Sequence, residues 1–331
     1  MIASRAQALS AFDRLLARAS TGGVPPDGYV VESFDNSEGL IYLGCSVTGE
    51  LAFLVASKPS RTPPPPLRLA GLSADFGVRC LLSDGASERL VRLSALKCTD
   101  IEGSIRDLFA TVCSALAGCL PAAPTEQEFS GEITRWSSLF WRLGQRVATD
   151  IVGLAGELVV LRQARDVDRW VQAWHSKPND ILDFDFLESR VGVEVKTTRG
   201  SAREHPISLA QVLEPGLANR YFASVQIDMN DSGELLGDLV RELSDRLKTG
   251  SSRLMLWSVL TKSCGEGLEE VLSRRIDVSK AALSLRFYRA VDIPVPSVKL
   301  PLPSGVSSVK FTSNLDLADE ATVADVESSI G

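Results

Sequence analysis

Two short runs of this chain carry acids and a base at the spacing of a β-strand. In Val191-Gly-Val-Glu-Val-Lys-Thr, alternation places Val191, Val193 and Val195 on one face and Gly192, Glu194 and Lys196 on the other. Just upstream, Ile181-Leu-Asp-Phe-Asp-Phe puts Asp183 and Asp185 on a shared face, and a hairpin through Glu188-Ser-Arg brings one of them close to Glu194. Two carboxylates beside a lysine suit one kind of chemistry. The carboxylates hold a hard divalent cation, and the ammonium orients a water or neutralises charge building on a phosphate. A cross-strand ion pair on a solvated face is the plainer reading of the same residues. Glu194-x-Lys196 is the only Asp/Glu-x-Lys triplet in the chain. Average residue usage supplies about one by chance at this length, so its surroundings carry the argument.

The surroundings are informative. Glu157 lies in Gly153-Leu-Ala-Gly-Glu-Leu-Val-Val-Leu, with Leu154 three residues before it and Leu161 four after, which sets a carboxylate on the apolar stripe of a helix. Such a group is costly there unless it is paired or bound to a cation. Gln211 is likewise a polar residue amid apolar ones, in Ile207-Ser-Leu-Ala-Gln.

Around these residues the sequence predicts a mixed α/β pattern. Helix is expected over 150–165, strands over 181–187 and 191–197, and a helix starting at Ser208. A strand follows over 221–228, a helix over 234–248, strands over 254–261 and 285–290, and a last strand over 307–312. The first hundred residues read as short strands, at 28–32, 40–44, 50–56, 67–69 and 79–82, with a stiff proline loop at 63–66. Met1 to Ser20 reads as an amphipathic surface helix. Ile105, Leu108, Phe109, Val112, Leu116 and Leu120 mark a helix with Cys113 and Cys119 on its buried side, and 132–143 a second whose Trp136, Phe140 and Trp141 are expected in the core. The expected division is a β-rich domain over 1–103, a helical connector over 104–149 and a third region over 150–331.

With 44% apolar and 23% charged residues, the 331-residue chain has the composition of a globular protein, which excludes wholesale disorder and fibrous repeats. No apolar run is long enough to cross a bilayer. The six cysteines form no CxxC pair and are expected to be reduced thiols of a cytoplasmic protein. The two histidines, His175 and His205, have no cysteine near them, so a zinc site is not expected; His175, next to Trp174 near the expected site, is placed to touch a phosphate, although a loop histidine is the plainer reading. Walker and GxSxG motifs are absent, which argues against an NTPase or an α/β hydrolase. The net charge of −7 disfavours nucleic-acid binding by the chain alone. Asp316, Asp319, Glu320, Asp325 and Glu327 supply most of that charge, in a tail expected to be solvated.

The segment 150–213 resembles a PD-(D/E)XK nuclease core, whose scaffold is an αβββαβ sandwich. It also resembles one bacterial branch of such proteins, encoded beside restriction–modification and phage-defence genes. The matching stations are Gly153 to Leu158, Trp174, Asp183-Phe184, Glu194 to Thr198 and Ile207 to Gln211, and similarity extends over most of the chain, including Val309-Lys-Phe. The resemblance implies an α+β fold with a restriction-endonuclease-like core, and Asp183 and Glu194 as Mg²⁺ ligands with a backbone oxygen of Val195. It implies Glu157 as an auxiliary acid acting through water, Lys196 as the water-orienting group and Gln211 as a polar support; Mn²⁺ would substitute. One departure is that Pro178-Asn-Asp180 is not contiguous with Asp183. Asp183 is favoured over Asp180 by its spacing from Trp174 and by Phe184. The function implied is a metal-dependent DNA endonuclease in a bacterial restriction or anti-phage system, a subunit brought to DNA by helicase-like or methyltransferase partners. A non-catalytic adaptor keeping the fold is the alternative.

Overall fold

A computed structural model describes residues 4–22, 24–34, 40–69, 71–99, 103–143, 145–175, 181–213, 217–297, 302–306 and 308–331. The chain divides into two compact units, Met1–Val147 with Leu260–Glu269, and Ala148–Val259 with Glu270–Gly331.

The first unit opens with helix α1 (Arg5–Ser20), started by a capping box between Ser4 and Gln7. Its strands are β1 (Gly28–Ser33), β2 (Ile41–Ser46), β3 (Leu51–Val55), β4 (Leu67–Leu69), β5 (Leu72–Ser83) and β6 (Glu88–Cys98). They run in the order β1-β2-β3-β6-β5-β4, and a parallel pairing of β1 with β5 closes five of them into a barrel. A Cβ on Gly28 would lie 2.2 Å from the carbonyl oxygen of Leu81, so glycine is what lets the closing strands approach. Tyr29, Val31, Tyr42, Leu54, Leu82 and Leu93 belong to one core cluster of the barrel.

Helices α2 (Gly103–Cys119) and α3 (Glu126–Leu143) complete the unit. Phe12 of α1 stacks on Phe109 of α2 at 5.7 Å, and Phe53 of β3 meets Phe129 of α3 at 6.1 Å. Because α2 and α3 share a core with the barrel, residues 104–149 are not a separate connector up to Val147. The N-terminal helix is also no mere surface element, since Ala8, Phe12 and Leu15 are fully buried. Cys113 is buried as expected, whereas Cys119, at the end of α2, is exposed. Trp136 is buried; the side chains of Phe140 and Trp141 lie outside the described residues. Segment 260–269 is tied in where the Glu266 N–H donates to the Gln145 carbonyl and the Ile105 N–H to the Glu269 carboxylate.

The second unit begins with α4 (Ile151–Gln163), α5 (Val167–Ala173), β7 (Phe184–Phe186), β8 (Val191–Thr198), β9 (Glu204–Ser208), α6 (Leu209–Leu213) and β10 (Asn219–Gln226). It continues through β11 (Met229–Leu235) and α7 (Leu236–Arg246), and α8 (Gly250–Cys264) and α9 (Leu268–Leu272) carry the chain out and back. The remaining elements are β12 (Arg275–Ile276), α10 (Val278–Ser284), β13 (Arg286–Arg289), β14 (Lys310–Asn314), β15 (Glu320–Ala321) and α11 (Val323–Ile330). A mixed five-stranded sheet runs β15-β13-β10-β8-β7, in which β8 is parallel to β10 and antiparallel to β7. Strand β9 leaves this sheet to pair with β14. The whole is a mixed α/β arrangement of the α+β kind.

Three expectations are corrected here. Residues 254–261 are helical, inside α8, not a strand. Leu256, Trp257, Val259, Leu260 and Thr261 are all buried, so the helix has no polar face whose period could have separated it from a buried strand. Glu234 lies in β11, ahead of α7. The acidic tail docks: a capping box between Thr322 and Asp325 starts α11, and Val326 and Ile330 are buried.

Candidate active site

Strand β8 is buried on both faces, and it delivers Glu194 and Lys196 side by side. The Lys196 ammonium donates to Glu194 Oε1 at 2.7 Å, and only 5% of Glu194 is exposed. The turn into α6 orients a second donor. Gln211 Oε1 accepts from the Ser208 N–H at 3.0 Å and the Ser208 hydroxyl accepts from the Gln211 N–H at 3.3 Å, a reciprocal cap. With its oxygen so engaged, the Gln211 amide directs Nε2 to Glu194 Oε1. One oxygen of Glu194 thus receives both Lys196 and Gln211.

Asp183 stands just ahead of β7, and its Oδ2 accepts from the Val195 N–H at 2.7 Å. Val195, expected to offer a backbone oxygen, meets Asp183 through its N–H. Asp185 does not join this group: it lies opposite Gly192 and lines a separate cleft of about 460 Å³ with Asp168, Arg169 and Gln172. Asp180 lies outside the described residues.

Glu157 is placed by the packing of α4 on β8. A Cβ on Gly156 would lie 2.2 Å from Thr197 Cγ2, so the Gly-Glu pair allows a close helix–strand approach and sets the carboxylate beside the sheet. Glu157 Oε2 accepts from the Trp174 indole N–H at 2.5 Å and faces His175 Nε2 at 3.1 Å. Trp174 is fully buried and stacked on Phe184, with ring centroids 6.3 Å apart. His175 adopts a left-handed backbone with φ 44°, and its N–H donates to the Asp183 carbonyl at 2.8 Å. This reversal turns the imidazole inward, to 3.8 Å from Asp183 Oδ1.

His175, read from the sequence as a loop residue, is therefore part of the cluster. Its only sequence signal was adjacency to Trp174 at a motif station. His205, by contrast, is buried elsewhere, with its Nε2 2.8 Å from the Ser224 hydroxyl.

The electrostatics of the cluster call for a cation. Burial, with Glu194 and Glu157 close by, pushes the Asp183 carboxyl well above the usual carboxylate range. Burial also raises Glu194, and Lys196 opposes that shift. Glu157, His175 and Asp183 each offer a ligand atom, all within 4.8 Å of one another. A divalent cation fits such a donor set, and would relieve the repulsion among the carboxylates.

Among the described residues no helix is long and apolar enough to cross a membrane. No curated protein and no solved structure matches the chain. A family model described as "Putative PD-(D/E)XK family member, (DUF4420)" matches residues 4–316, nearly the whole length, and the chain belongs to this family.

Proposed function

We propose that the protein is a metal-dependent DNA endonuclease acting as a subunit of a bacterial restriction or anti-phage system, built on a restriction-endonuclease-like core. One observation carries the reading: Asp183, Glu194, Lys196 and Gln211 gather around β7 and β8, beside Glu157 from α4. A cation held by Asp183 and its neighbouring carboxylates, Mg²⁺ or Mn²⁺, would supply charge neutralisation and Lewis acidity at the scissile phosphate. The chain's own groups do the rest. Glu194 holds the Lys196 ammonium in place, so that it can orient the attacking water or stabilise charge developing on the phosphate. Gln211 donates to the same Glu194 oxygen, which keeps that carboxylate from swinging toward solvent. An acidic chain makes few favourable phosphate contacts, which is why basic partner subunits are proposed to deliver it to DNA.

The test is nicking of supercoiled plasmid by the purified chain in Mg²⁺ or Mn²⁺, beside Lys196→Ala. Metal-dependent nicking that the variant loses is the expected result. Equal nicking by both would remove Lys196 from the mechanism. No nicking by either, with or without partner subunits, would leave the non-catalytic adaptor.

A further inference from the structure

We propose that the cation at this site is held through an imidazole, with His175 Nε2 completing a ligand set with Glu157 and Asp183, and that the centre therefore selects Mn²⁺ over Mg²⁺. The inference rests on the nuclease reading for what the ion does, and on geometry for where it binds.

Three features point to His175 as a ligand. Its Nε2 converges with oxygens of two carboxylates from different elements, at 3.1 Å from Glu157 Oε2 and 3.8 Å from Asp183 Oδ1. Its ring is fixed from outside the cluster by stacking on Trp174, with centroids 6.1 Å apart. The Trp174 indole, in turn, donates to the same Glu157 oxygen that faces the imidazole, which is how a buried carboxylate ligand is oriented by its surroundings. Glu194, whose Oε1 accepts from Lys196 and Gln211, is not in the group whose ligand atoms all lie within 4.8 Å of one another. The atoms that converge are one nitrogen and one oxygen each from Glu157 and Asp183.

The nitrogen decides the metal. Mg²⁺ is a small, hard ion that takes oxygen ligands and parts reluctantly with water. Imidazole favours first-row transition ions over Mg²⁺, and among these Mn²⁺ is the one whose usual partners, carboxylate and water, match the rest of the set. An all-oxygen set built on Asp183 and Glu194 would show no nitrogen coupling, and its preference would not depend on His175.

The test uses the full chain and Mn²⁺ itself, followed by electron paramagnetic resonance. Expected are Mn²⁺ binding at least about tenfold tighter than Mg²⁺ in competition, and spin-echo modulation from a directly bound nitrogen-14. His175→Gln should abolish the modulation and remove the Mn²⁺ preference while thermal unfolding of the metal-free chain stays cooperative. Only two histidines exist, and His205 is engaged with Ser224, so the nitrogen is assignable. Mn²⁺ bound without nitrogen modulation, no Mn²⁺ binding, or an unchanged preference in His175→Gln would each overturn the proposal. If the variant does not fold, the wild-type modulation and the competition decide the matter. Plasmid nicking separates the two readings. Nicking without nitrogen coupling sinks this inference alone, and nitrogen-coupled Mn²⁺ without nicking, with or without partner subunits, sinks the nuclease reading alone.

Discussion

Replacing Gly156 by alanine tests the packing that positions Glu157. The new methyl carbon would lie 2.2 Å from Thr197 Cγ2 and 3.4 Å from Val195 Cγ1. Carbon atoms in ordinary contact are about 3.5–4.0 Å apart, so helix α4 and strand β8 must separate by roughly 1.5 Å. Thr197 is β-branched and offers no cheap rotation out of the way. Overpacking of this kind costs about 1–3 kcal/mol. Against it, alanine in a helix interior gains about 1 kcal/mol over glycine. The net effect is a loss of up to about 2 kcal/mol in the wild-type background. Thr197→Ser removes the offending methyl, and in that background Gly156→Ala becomes neutral or stabilising. Urea denaturation of the four proteins gives the coupling directly, expected at about 1–3 kcal/mol. Additive effects, agreeing within about 0.5 kcal/mol, would refute the close approach of α4 to β8.

Two further perturbations probe the same unit. Trp174→Phe keeps an aromatic ring against Phe184 but deletes the indole N–H on Glu157. It should cost about 1–2 kcal/mol and weaken metal binding about tenfold, read as a smaller rise in melting temperature with Mn²⁺; an unchanged rise would show that the indole does not orient the carboxylate. Burial, with Lys196 and Arg203 nearby, lowers the His205 imidazole from 6.5 to about 4. The unfolded chain then takes up a proton near the ordinary value while the folded chain resists it. The stability concerned is complete above the unfolded value and is lost as pH falls from 6.5 toward 4, roughly 3 kcal/mol in all. The difference in stability between wild type and His205→Gln, measured from pH 7 to pH 4, should carry that slope, and a flat difference would exclude it.

What could be read from the chain beforehand follows from how local each signal is. The valine alternation of β8 and the carboxylate of Glu157 among leucines are patterns within one element, and they survive folding unchanged. The reciprocal cap that aims Gln211 at Glu194 also depends on residues three apart, although its target does not. Residues 254–261 failed because buried residues there follow one another with no clear helical period, and an apolar run of that length suits a strand equally well. His175 was legible only as a neighbour of the site: its approach to Glu157 depends on one left-handed residue where the chain leaves α5, and nothing in the neighbouring residue types encodes that reversal. The tail was misread because its charge is conspicuous, whereas the two residues that dock it, Val326 and Ile330, are sparse.

The first unit also sets an order of events during synthesis. Its barrel, α2 and α3 leave the ribosome early, yet the segment that receives the Ile105 and Gln145 backbone contacts, Leu260–Glu269, is made only after Ala148–Val259 has been translated. At typical elongation rates of about 5–20 residues per second, that interval lasts roughly ten seconds. Through it the nascent N-terminal part lacks the hydrogen bonds that Gln145 and Ile105 make to that segment. The N-terminal unit is therefore completed only after the strand that carries Glu194 and Lys196 has been made, and before β13 and β15 finish their sheet.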